Sequence, residues 1–162
     1  MMKLLTKIFL IFILVLFLPA CDFAITQEQR IKKQVKEYLN DPDSAKFESI
    51  HQGKEEKYFC GLVNAKNRMG GYVGLRPFVY EKVTNDFAMV TFVSDTPKDS
   101  DFRMLKGSLS FKERHSTLYD ECRSIRIWNT ACGINEIDFP EMCRLMLDGK
   151  PREFIDKLYK DY

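Results

Sequence analysis

Histidine is almost missing from this chain, tryptophan is rarer still, and no two cysteines stand at Cys-x-x-Cys spacing. The 162 residues hold two histidines, His51 and His115, and one tryptophan, Trp128. Neither histidine belongs to a run with the ligand spacing of a zinc site, and without Cys-x-x-Cys neither a zinc knuckle nor a thioredoxin-type pair is expected. Asp99 and Asp101 are too few for a calcium loop. Gly-x4-Gly-Lys-Ser/Thr is absent, and Gly70-Gly71-Tyr72-Val73-Gly74 lacks the dinucleotide fingerprint. No metal and no cofactor is expected.

A surplus of either charge is also lacking. The chain has 25 basic and 23 acidic residues, but two of the cations, Lys3 and Lys7, fall in the first twenty residues, which hold no acid. The remaining 142 residues therefore carry 23 of each sign. A nucleic-acid binder would show a basic footprint, so nucleic acid is not an expected partner. Neutrality also argues against a polybasic hold on lipid headgroups.

What is present is most specific at the N-terminus. Lys3 and Lys7 precede an apolar run over residues 8–18, which Pro19 and Ala20 stop. A positive start, a short apolar stretch and small residues at the cut make a secretory signal. The run of 11 residues is shorter than the roughly 17–25 of a spanning helix. Leu18-Pro19-Ala20-Cys21 resembles the lipobox of bacterial lipoproteins, in which the cysteine thiol receives a diacylglycerol and becomes the first residue. That resemblance implies a signal peptide over residues 1–20, a lipidated tether over 21–26 and one domain over 27–162. It places Cys21 at the membrane on the periplasmic side. Asp22 resembles the signal that retains such proteins in the inner membrane. Several acyl chains, as lipoproteins carry, anchor firmly where a single one holds marginally.

Four further cysteines, Cys60, Cys122, Cys132 and Cys143, would lie in an oxidising compartment. Four allow three pairings. Three of them cluster between residues 122 and 143, so at least one bridge is expected inside that cluster.

Thr26-Gln27-Glu28-Gln29 has the form of a capping box. Ile31, Val35, Tyr38 and Leu39 fall on one helical face, which predicts a helix over 27–39 closed by Asn40-Asp41-Pro42. Strands are expected over 46–51, 57–64, 77–83 and 87–93, with a short turn at Asn85-Asp86. Residues 94–100 read as a loop. Helical spacing returns at Leu118, Cys122 and Ile125. It recurs at Met142, Leu145 and Met146 after Pro140, and at Phe154, Ile155, Leu158 and Tyr159 after Pro151. The order implies one α+β domain: a small antiparallel sheet, an N-terminal helix and C-terminal helices. Trp128 is expected in the core or at an interface.

The most distinctive stretch runs Cys60-Gly61-Leu62-Val63-Asn64-Ala65-Lys66-Asn67-Arg68-Met69-Gly70-Gly71-Tyr72-Val73-Gly74, with Asp41-Pro42-Asp43-Ser44-Ala45-Lys46-Phe47 before it. Residues 31–80 resemble a small bacterial and phage-associated family with a CGxVNxKNxxGGYxG segment, a family of uncharacterised function. The resemblance brings no activity, ligand or catalytic residue, and residues 95–162 lie outside it.

Two readings of this stretch follow from its residues. In one it is a rigid strand-loop-strand connection. Gly70-Gly71 permits a sharp turn, Asn64 and Asn67 bond to local backbone, and Lys66 lies over a ring such as Tyr72. In the other it is a recognition loop in which Asn64, Lys66, Asn67, Arg68 and Tyr72 face a ligand. Cys60 could serve a thiol enzyme with His51 or His115 as base, but no local residue supplies the base or a lowered pKa. The expectation is a lipid-anchored envelope protein, non-enzymatic, binding a protein partner in an exclusion, immunity or envelope-machine role. The alternative is a periplasmic hydrolase or thiol enzyme using Cys60.

Overall fold

The computed structural model describes residues 26–106, 110–133 and 137–161. The expected signal peptide, Cys21, Asp22 and most of the expected tether lie outside the described residues. Among the described residues no helix is long and apolar enough to cross a membrane.

The chain divides into two units, residues 1–30 and 31–162. Of the first, residues 26–30 are described, and they hold the expected capping box. Thr26 N–H donates to Gln29 Oε1 at 3.0 Å, and Gln29 N–H donates to Thr26 Oγ1 at 3.3 Å. This opens helix α1, Gln27–Lys36. The helix ends three residues before the expected boundary because its last turn tightens. Glu37, Tyr38 and Leu39 donate to carbonyls three residues back, a 3-10 pattern that rotates the side chains off the helical stripe. Ile31 and Val35 are buried as expected, whereas Tyr38 is 57% exposed.

The second unit is α+β. A short 3-10 turn, Pro42–Ser44, precedes four antiparallel strands in the order β1-β2-β3-β4. These are β1 Lys46–Gln52, β2 Tyr58–Asn64, β3 Arg76–Lys82 and β4 Ala88–Phe92. Thr84 Oγ1 accepts from the N–H groups of Asp86 and Phe87, which forms the expected turn between β3 and β4. The expected loop after β4 is shorter than its composition implied. Helix α2, Asp99–Arg103, starts within it, opened by the Asp101 carboxylate accepting from Lys98 N–H. Then follow α3 Phe111–Ala131, α4 Glu141–Leu147 and α5 Pro151–Asp161. Pro140 caps α4, and Pro151 occupies the first turn of α5. Gly149 takes a φ of 68°, and Lys150 N–H donates to Leu145 O, closing α4 as a Schellman turn.

Each face of the sheet builds its own core. On one face Val63, Phe78, Tyr80 and Ala88 are buried with Ile31 and Val35. Phe78 is 0% exposed and meets Phe47 edge-on at 6.1 Å. Burial of such a ring contributes about 1.5–3 kcal/mol. The ring needs room, and Gly61 supplies it: a Cβ there would lie 2.7 Å from Phe78 Cζ. On the other face Cys60, Val79 and Val93 pack against Ile125, Trp128, Ala131 and Cys132. The N-terminal half of α3 joins a third core, in which Leu118 and Cys122 meet Phe102, Met142, Cys143, Phe154 and Leu158. Trp128 is therefore a core residue. The last apolar stripe is only half buried, since Ile155 and Tyr159 are 40% and 66% exposed.

Two disulfides fasten α3. Cys122–Cys143 ties it to α4, the bridge expected inside the cysteine cluster, and Cys60–Cys132 ties its end to the middle of β2. The β1–β2 turn caps the same end of α3. Lys54 N–H donates to Ala131 O at 2.7 Å, and Lys54 Nζ donates to Asn129 O at 3.0 Å. A cation at a helix C-terminus opposes the negative end of its dipole.

Candidate functional site

The segments 41–47 and 60–74 meet in space. Ser44 is the joint. Its hydroxyl donates to Asp41 O at 2.8 Å and accepts Lys66 N–H at 2.9 Å, while its carbonyl accepts the Tyr72 hydroxyl at 3.3 Å. Arg68 Nε donates to Asn40 Oδ1 at 3.3 Å. The turn after α1 thus braces the loop that joins β2 to β3.

Inside that loop the asparagines act on backbone. Asn67 Oδ1 accepts from Met69 and Gly71 N–H groups, at 2.9 and 3.1 Å. Asn64 Oδ1 accepts from Gly74 N–H at 3.1 Å. Lys66 and Tyr72 form an antiparallel bridge across the loop. Gly70 closes its tip at a φ of 82°, a conformation that a side chain would strain. The Lys66 and Lys46 ammonium groups lie 5.6 and 4.5 Å from the Tyr72 ring centroid. Cations this close to a ring face are attracted by its quadrupole.

The recognition set drawn from the sequence therefore splits. Asn64 and Asn67 hold the loop from within, and Lys66, Arg68 and Tyr72 are partly engaged in bracing it. What the loop offers outward is mostly apolar. Met69 is 94% exposed, Val73 64%, Leu75 47% and Tyr72 44%. Sequence reasoning passed over Met69, Val73 and Leu75, although three large apolar residues in a glycine-rich loop are a visible signal. It also left Ser44, Lys46 and Arg76 without a role.

More cations than acids lie around the loop. Lys46, Lys66, Arg68 and Arg76 lie at or beside the loop, against Asp41 and Asp43 in the turn that braces it. Behind the loop lies a cavity of about 240 Å³ lined by Tyr38, Asn40, Lys66, Val73, Arg76 and Phe92. The Arg76 guanidinium sits 4.9 Å from the Phe92 ring centroid, and Arg76 Nε donates to Val93 O at 3.5 Å. A hydrophobic tip with cations at its base suits contact with a macromolecular surface.

A hollow of about 470 Å³ near α2 carries the opposite charge, with Asp95, Asp101 and Glu121 on its wall beside Arg114. Burial raises the Glu121 carboxyl above the ordinary range, and the charges of Asp101 and Asp95 add to this. Among the described residues no group of three or more His, Cys, Asp or Glu is placed to hold a metal ion.

The remaining candidates stand apart from both places. Cys60 is 0% exposed and bonded to Cys132, so its sulfur is not a free thiol. His51 Nδ1 lies 2.7 Å from Ser49 O, and His115 stacks on Phe111 and meets Phe154 edge-on. Neither histidine has the geometry of a base for Cys60. No family model matches the chain, and neither a curated protein nor a solved structure is significantly similar to it.

Proposed function

We propose that the mature protein is a lipid-anchored, non-enzymatic envelope protein, held to the membrane through Cys21, that binds a protein partner through the loop between β2 and β3. The lipobox supports the anchor, and Asp22 favours the inner membrane. The observation that carries the binding role is the loop itself. Its base is fixed by Ser44, Asn64 and Asn67, while Met69, Val73 and Leu75 stay out of every core. A loop without function could bury such side chains or replace them with polar ones. A rigid scaffold presenting a few exposed side chains is a common arrangement for recognition. An exclusion, immunity or envelope-machine accessory role would each need a contact with a protein partner.

A photo-crosslinking residue placed at Met69 in the full chain tests this in cells. It should give one discrete adduct that the same residue at Lys112, exposed on α3, does not give. No adduct at Met69, or the same adduct from both positions, would contradict the binding role. A thiol enzyme would need Cys60 reduced and exposed, and no observation favours that.

A further inference from the structure

In the cavity behind the loop between β2 and β3, the polar side-chain groups left over are hydrogen-bond donors. Apart from the Tyr38 phenol, the polar side chains on its wall are Asn40, Lys66, Asn67 and Arg76. Both asparagines have their oxygens engaged. Asn40 Oδ1 accepts from Arg68 Nε, and Asn67 Oδ1 accepts from the N–H groups of Met69 and Gly71. Each amide is left with its NH2 group, which can only donate. Arg76 gives Nε to Val93 O and keeps its two terminal nitrogens, and Lys66 Nζ lies over the Tyr72 ring. Among the described residues none of these four donor groups has an acceptor.

No acid lines the cavity. Asp41, in the adjoining turn, is not on its wall and accepts Ser44 N–H. Arg76 and Val73 also border the neighbouring hollow that holds Asp95 and Glu121, but among the described residues no ion pair joins Arg76 to either. The rest of the wall is apolar. Val63 and Ala65 are buried, Leu39 and Phe92 are half-buried, and Val73 continues the wall out to the exposed tip of the loop. At about 240 Å³ the cavity is smaller than the roughly 300–1,000 Å³ of sites for cofactors and drug-sized ligands, and it suits a single residue.

We propose that the cavity takes the C-terminal residue of a protein partner, one with an apolar side chain. This deepens the binding role proposed above and rests on it. The terminal carboxylate receives N–H groups from Arg76, Lys66 and the two asparagines, and a guanidinium beside a carboxylate makes a charge-assisted pair. Capture of a C-terminal carboxylate is one of the recurring modes of peptide recognition. The last side chain lies against Val63, Ala65 and Phe92, and the residues before it run past Val73 onto Met69 and Leu75. A chain end satisfies both halves of the cavity because its carboxylate and its side chain branch from one Cα. An internal Asp or Glu brings the charge with no apolar group beside it. A phospholipid phosphate is flanked by glycerol, not by the acyl chains.

A photo-reactive peptide tests this on the full chain, purified from membranes in a nonionic detergent. The probe is an acetylated Gly-Ser peptide ending in photo-leucine, made with a free carboxylate or with an amide in its place. The acid should label the cavity wall, between Val63 and Val73 or at Phe92, about tenfold more than the amide does. Arg76→Gln and Lys66→Gln should each bring the acid down toward the amide, while Lys112→Gln, exposed on α3, should not. Each variant is melted beside the parent, and Lys66→Gln decides if Arg76→Gln melts early. N-acetyl-leucine should compete with the probe better than glycerol phosphate does. Equal labelling by acid and amide, adducts only elsewhere, or variants without effect overturn the proposal. So does stronger competition by glycerol phosphate, which would assign the anion to a lipid headgroup. The Met69 adduct in cells is read separately. If it forms while acid and amide label alike, this inference falls and the loop's binding role stands.

Discussion

The hydroxyl of Ser44 accepts the backbone N–H of Lys66 at 2.9 Å and so fastens the turn after α1 to the loop after β2. The two residues lie 22 apart in sequence. Ser44→Ala removes that acceptor and leaves a part-buried N–H unpaired. The expected cost is about 1–2 kcal/mol of stability, read by chemical denaturation. Amide exchange should quicken at Lys66 and through the loop while β3 stays protected. Unchanged exchange at Lys66 would show that the loop does not depend on the joint.

Gly61 makes a sharper case. Its missing Cβ leaves space for the Phe78 ring, and an added one would also lie 3.1 Å from Ile50 Cγ1. Gly61→Ala overpacks the core and should destabilise the domain by about 1–3 kcal/mol. Adding Phe78→Leu should recover part of that loss, which a double-mutant cycle would measure.

The two disulfides should differ in weight. Cys60–Cys132 spans 72 residues and Cys122–Cys143 spans 21. Loop-closure entropy then assigns roughly 4 kcal/mol to the first and roughly 3 to the second. Paired Cys→Ala variants, melted under identical conditions, should rank in that order. The longer bridge also holds the end of α3 on the sheet, so its loss should expose Trp128 to a fluorescence quencher first.

Glu121 predicts a pH dependence. Burial, with Asp101 and Asp95 adding, raises its folded-state pKa above the unfolded value. The folded state therefore holds the proton more tightly, and this group's contribution to stability is lost as pH rises from the unfolded pKa through the folded one. Glu121→Gln removes the charge. The variant should gain stability over the parent at neutral pH, and the gain should vanish in acid, where both are neutral. A gain that persists at low pH would assign the effect to packing.

Much of the fold was legible, and the misses have physical causes. Thr26 and Gln29 marked the start of α1, and Ile31 and Val35 marked its buried face. Its end was placed late because a 3-10 turn leaves no sequence signature between Lys36 and Asn40. β2 through β4 were legible to within a residue or so from their aromatic and β-branched runs. α2 was missed because one short helix, capped by Asp101, sits in a segment whose Pro, Asp and Ser read as loop. Within the candidate site, local chemistry was readable: Asn67 and Gly70 as turn-formers, Lys66 over Tyr72. Ser44 was not, because its partners are distant in sequence. The partner of Cys60 was unreadable for the same reason, since only the docking of α3 brings Cys132 to β2.

The proposed lipid on Cys21 would fix this protein to the membrane. The direct measurement is the mass of the N-terminal peptide of protein purified from membranes. The expected peptide begins at Cys21 and carries acyl chains, with residues 1–20 gone. A peptide in which residues 2–20 remain joined to an unmodified Cys21 would contradict it.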